Sequence, residues 1–197
     1  MSTSLCRRRS FCRGKKPNLW AFAFAFVFCQ IGSEVSAQTA PAREFQLKAI
    51  FLFNFTQFVN WPSEAFSSPS APLVIGVLGG DPFGSFLDET VQGEKVDGHP
   101  LVVRRYRRVD EIQGCHILFI SGTESWRLDW ILSVLKGHSI LTVGDWGDFT
   151  LRGGMIRFIT RNHKIRFRIN ADAAKAAHLT ISSKLLRLAE TAEDGKD

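Results

Sequence analysis

Apolar positions along this chain fall into three kinds of run. The first, Phe45 to Phe58, is helical, because strict alternation would split it into two mixed faces. On a helix from Glu44 to Asn60, Leu47, Ile50, Phe51, Asn54, Phe55 and Phe58 share one side, which is expected to be the core face. Asn54 on that face must find partners or cost roughly 1–3 kcal/mol, so it is expected to pin a neighbouring backbone segment. Phe53, left on the polar side, is the aromatic expected to meet a partner. Trp61-Pro62 stops the helix, since the residue before a proline is pushed out of helical geometry. A membrane-surface helix would want a cationic polar face, and only Lys48 is available.

The second kind is continuous and of strand length: Leu73 to Gly79, Leu101 to Tyr106, His116 to Ser121, and "SILTVGD". Such runs suit strands buried on both faces of a parallel sheet. Helices are expected between them, one in "DPFGSFLDETVQ" with Asp81 as N-cap and Pro82 in its first turn, another over Ser125 to Lys136. Strands alternating with helices argue for βαβ units.

The third kind has period two. "MIRFIT" and "KIRFRIN" flank "RNH" as a hairpin, with Ile165, Phe167 and Ile169 on one face and Arg166 and Arg168 on the other. The basic face of Arg157, Arg166 and Arg168 is by default solvated. Asn170 caps "ADAAKAA", and Ser182 caps the last helix. The expected fold is a single three-layer α/β/α domain over residues 44–190, its mostly parallel sheet carrying a C-terminal antiparallel hairpin on the edge. A short arm (38–43) precedes it and a polar tail (191–197) follows.

Charge changes the picture only through the N-terminus. Arg7, Arg8, Arg9, Arg13, Lys15 and Lys16 precede the apolar run Leu19 to Cys29, and "VSAQ" places Val35 and Ala37 where a signal peptidase reads. Eleven apolar residues fall short of the roughly 20 that span a bilayer. Residues 1–37 are therefore expected to be a cleaved signal peptide, with Sec and twin-arginine export both open. That leader holds six cations and one anion, so of the net +6 only +1 stays with the remaining chain. The basic pI then says nothing about nucleic acid, and no nucleic-acid partner is expected. Of four cysteines only Cys115 remains, which excludes an internal disulfide and a cysteine-rich metal site. Cys115 opens an apolar strand and is expected to be an inert buried thiol.

Searches for catalytic chemistry return nothing specific. No H-x-x-x-H pair and no G-x-S-x-G elbow occurs, and no metal or cofactor is expected. "GVLGGDPFG" matches neither a dinucleotide fingerprint nor a phosphate loop, so its glycines are expected to serve tight turns. Two aromatic surfaces stand out. Trp126 and Trp130, four apart, fall opposite the apolar stripe of Leu128, Ile131, Leu132 and Leu135, and an outward pair would mark an interface; otherwise a segment such as the loop after Trp61 covers them. In "GDWGDF", Trp146 and Phe149 flank Asp145 and Asp148 at the end of the fourth strand, where ligands gather in parallel sheets. The default there is a loop whose aromatics fold back on the core.

The stretches "KAIFLFNFTQFVNWP", "LVIGVLGGDPFG", "CHILFIS", "ILTVGDWGDF", "GGMIRF" and "FRINADAAKAAHLTISSKLLRLA" occur in the order seen in the YfiR-like family, and the chain resembles that family from Lys48 to Ala189. The resemblance implies a small periplasmic α/β regulator, not an enzyme. It implies repression of a membrane-bound signalling protein, a diguanylate cyclase or sensor kinase, and hence control of cyclic-di-GMP and biofilm behaviour. An outer-membrane lipoprotein that sequesters it, and a homodimer, are also implied. Cys115 matches a family cysteine whose partner is missing here, and His178 stands where the family pattern has a glycine, between the last two helices. A periplasmic small-molecule sensor with its ligand near Gly79 and Asp145 is the alternative, and a hydrolase assembled only in three dimensions is the third reading.

Overall fold

The computed structural model describes residues 40–162 and 164–189. The expected leader and the polar tail lie outside the described residues. Helix α1 (Ala40–Phe58) opens with Pro41 in its first turn, where a missing N–H costs nothing. It begins inside the segment expected to be an arm. It also ends two residues before the expected stop, because Val59–Asn60 (β1) pairs antiparallel with Thr180–Ile181 (β9). The Ser182 N–H then donates to the Phe58 carbonyl at 2.8 Å and satisfies a helix-end acceptor.

The main sheet contains Leu73–Leu78 (β2), Lys95–Val96 (β3), His99–Tyr106 (β4), Ile117–Ile120 (β5), Leu141–Gly144 (β6), Ile156–Arg161 (β7) and Lys164–Ile169 (β8). Their order is β3-β4-β2-β5-β6-β7-β8, with β4, β2, β5, β6 and β7 parallel and the outer strands β3 and β8 antiparallel to their neighbours. The architecture is mixed α/β with a mostly parallel sheet. The hairpin β3–β4 was not apparent from the sequence, although its turn, Asp97-Gly98, has the two positive φ angles (51° and 87°) that a tight two-residue turn needs.

Helices α2 (Ser85–Val91), α3 (Leu128–Val134), α4 (Ala171–Ala176) and α5 (Ser183–Leu188) complete the domain. Asp81 lies too early to cap α2. It accepts from the Phe83 N–H at 2.7 Å and from Arg105 Nε at 2.6 Å, stapling the turn to β4. The segment Ser125–Lys136 divides into a 3-10 turn, Gly122–Arg127, and α3. Asn170 caps α4 through the Ala173 N–H at 3.0 Å, and Ser182 caps α5 through the Leu185 N–H at 3.3 Å. Helix α4 ends with N–H groups of His178 and Leu179 on the carbonyls of Lys175 and Ala174, both at 3.0 Å, which places His178 in the left-handed region at φ 60°.

Because side chains alternate along a strand, β5 feeds two apolar clusters. Ile117 and Phe119 join the larger one with α1, α2, α4 and α5; Leu118 and Ile120 join a smaller one with α3. In the larger cluster Phe55 stacks on Phe158 at 5.7 Å and meets Phe167 edge-on at 5.5 Å, docking α1 on β7 and β8. The buried residues of α1 are Lys48, Ala49, Leu52, Phe55 and Thr56, while Leu47 and Ile50 are exposed. The core face is thus rotated by one residue, about 100°, from the expected one. Asn54 is only half-buried, so the penalty that would compel it to pin a backbone segment does not arise in full. Phe53 is half-buried and packs against the same cluster, and so is no isolated exposed aromatic.

Candidate functional site

The 3-10 turn and α3 present one continuous face. Ser121 starts it by accepting from the Thr123 N–H, and Leu128 and Ile131 bury the inner side. On the outer side Trp126 is 79% exposed, Trp130 51%, and Val134 follows four residues on, also exposed. Within α3 a spacing of four aligns Trp130 with Val134, and Trp126 joins them from the 3-10 turn through a shared arginine. The Arg127 guanidinium lies 5.5 Å from the Trp126 ring centroid and 5.6 Å from that of Trp130, within cation–π range of both. Glu124 holds it from below by an ion pair. Neither indole is covered by the loop after Trp61, whose ring turns inward: Trp61 Nε1 donates to the His116 carbonyl at 3.2 Å.

The "GDWGDF" loop behaves differently. Phe149 is 0% exposed, which removes it from any partner surface. A Cβ on Gly144 or Gly154 would stand 2.6 Å or 2.2 Å from its ring, so these two glycines are the reason the ring can enter. Trp146 is half-buried, edge-on to Phe149 at 5.3 Å, with Nε1 donating to the Ile120 carbonyl at 3.4 Å. Arg152 ties the loop to the tryptophan ridge: it pairs with Asp129 at 3.0 Å and donates to the Ser125 carbonyl at 2.9 Å.

Asp145 is engaged as well. It accepts from Lys48 Nζ at 2.8 Å, and Glu44 pairs with the same amine at 2.7 Å. Lys48 is 3% exposed and lies over the Phe45 ring at 4.4 Å. A lysine so buried persists only with partners, and here it joins α1 to the end of β6. The sequence contained its signal, since Phe45, Lys48, Ala49, Leu52, Phe55 and Val59 form a stripe at helical spacing. The other proposed ligand position is also filled. At Gly79 an added Cβ would meet Thr123 Oγ1 at 2.6 Å and Glu124 Cγ at 2.7 Å, so these two side chains fill the space beside it.

A cavity of about 670 Å³ lies at the opposite end of the strands, among Pro62, Glu64, Cys115, His138, Ile140 and His178. Cys115 is buried, and burial pushes its thiol up to about 12, far from a reactive thiolate. His116 is buried between strands, its Nδ1 accepting from the Val74 N–H at 3.1 Å. Phe66 stacks between its ring (4.4 Å) and that of His99 (3.9 Å). Burial pushes the His116 imidazole down to about 4, and its Nε2 is sealed without a partner. Among the described residues no three His, Cys, Asp or Glu side chains group to hold a metal, and no helix is long and apolar enough to cross a membrane.

No curated protein matches the sequence. The model of the YfiR/HmsC-like family matches residues 45–190, from the first turns of α1 to just past α5 and about three quarters of the chain. This chain belongs to the YfiR/HmsC-like family.

Proposed function

We propose that this protein is a non-enzymatic periplasmic regulator that binds and represses the periplasmic sensor region of an inner-membrane signalling protein, a diguanylate cyclase. Family membership supports the pathway, and the cationic leader with its short apolar run supports export. The observation that carries the reading is the ridge of Trp126, Trp130 and Val134, held outward around Arg127. Tryptophan and arginine are the side chains that most often dominate binding energy at interfaces. An outer-membrane lipoprotein that sequesters the protein, and a homodimer, belong to the same proposal.

The test is a crosslinked pull-down from envelope extract with the parent and with Trp126→Ala/Trp130→Ala. The parent is expected to recover a membrane protein carrying a diguanylate cyclase domain, and the double variant to lose it. Equal recovery by both would remove the ridge from the interface. A second reading, small-molecule sensing, is favoured by the 670 Å³ cavity at Cys115 and His138, which falls within the size range of ligand sites. A thermal-shift screen separates the two, since a ligand at 100 times its Kd adds about 2.7 kcal/mol.

A further inference from the structure

The outer face of β7 and β8 carries a charge imbalance that the regulatory reading does not use. Arg157 and Arg168 stand directly opposite in the antiparallel register. Their side chains share the face away from Phe158 and Phe167, which pack on α1. Directly opposed residues have Cβ atoms about 4.5–5.5 Å apart, where like charges repel. Both arginines are half-buried, and the Nε of each is sealed from solvent without a hydrogen-bond partner. The next register pair, Ile159 and Arg166, leaves Ile159 7% exposed although it belongs to neither apolar cluster.

Four other arginines have carboxylate partners. Arg105 has Asp81 and Asp88, Arg108 has Asp110, Arg127 has Glu124 and Arg152 has Asp129. Among the described residues no carboxylate pairs with Arg157 or Arg168. We propose that Arg157 and Arg168 form an oxyanion site that takes a phosphate group between the two guanidiniums. Two fixed positive charges call for a dianion: a phosphate monoester carries about −1.5 to −2 near neutral pH, whereas a carboxylate neutralises one guanidinium only. The planar forks of arginine match phosphate oxygens two at a time. The phosphate comes from a free phosphorylated compound or from a lipid headgroup of the same chemistry.

The experiment titrates inorganic phosphate into the full chain at constant ionic strength in chloride, following the arginine Nε–H resonances. A saturable shift of Arg157 and Arg168 is expected, weakened at least tenfold in Arg157→Gln and in Arg168→Gln and within about twofold of the parent in Lys164→Gln. Melting provides a readout that does not depend on a fragile variant. Without phosphate, Arg157→Gln melts at or above the parent because a repulsion is relieved, and phosphate raises the melting temperature of the parent alone. Flotation with phosphatidic acid vesicles but not phosphatidylcholine vesicles, lost in Arg157→Gln, assigns the phosphate to lipid. Saturation by inorganic phosphate without flotation assigns it to a free compound. No saturable response, an equal response to acetate, or variants that bind phosphate like the parent would each overturn the site.

Discussion

Four tryptophans lie in the described residues, and they divide into two pairs. Trp61 and Trp146 donate their indole N–H groups to the carbonyls of His116 and Ile120, one just before β5 and one at its end. Trp126 and Trp130 stay outside, with only Arg127 between their rings. The first pair clamps the central strand and belongs to stability. The second pair is largely exposed and, among the described residues, makes no hydrogen bond to the core, as the proposed recognition role requires. Aromatic content alone does not separate them; the difference is whether a backbone acceptor lies within reach.

Phe149→Ala tests the inner pair most severely. It removes the ring against which Trp146 rests, at an expected cost of about 3–5 kcal/mol, with red-shifted Trp146 emission in the same urea titration. Unchanged stability would dissolve the division between the pairs. The Trp61 end depends on pH. A histidine whose folded pKa lies below its unfolded value supports the fold fully above about 6.5 and withdraws that support as pH falls toward 4. Acid melts followed by Trp61 emission are expected to lose up to roughly 3 kcal/mol over that window; a flat curve would place His116 in water. His178→Gly sets the scale for a purely local change. Relief of left-handed geometry, less the added freedom of the unfolded chain, is expected to add about 0.5–1 kcal/mol, read as a raised denaturant midpoint. Trp126→Ala/Trp130→Ala is expected to shift stability least, by about 0.5 kcal/mol or less, while abolishing capture of the proposed membrane partner. A large loss of stability would show that the ridge holds the domain together.

The outward pair was legible because α3 carries a clean apolar stripe, so whatever lies opposite it must face away. The four continuous strands were legible for a similar reason: an uninterrupted apolar run leaves few alternatives. The face of α1 was not. Its aromatic density lets two adjacent faces look equally apolar, and the deciding residue is a lysine. Lys48 enters the core face only because Asp145, 97 residues further along, meets it there. The sequence left Phe149 between a partner surface and, by default, a ring folded back on the core, because its burial depends on Gly144 and Gly154, whose role appears only once the ring is placed. The unpaired state of Arg157 and Arg168 was hidden for the opposite reason, since alternation shows which residues face outward and not which counter-charges fail to arrive.

The short pairing of β1 with β9 has a consequence for how the chain is made. It joins Val59 to Ile181 and Asn60 to Thr180, a separation of about 120 residues. Contacts so distant in sequence form late, after the entropy of a long loop has been overcome. Until residue 181 has been synthesised, Val59 and Asn60 lack their strand partner and the largest apolar cluster has an open side. A chain of this design completes its largest cluster only when nearly all of its length is present.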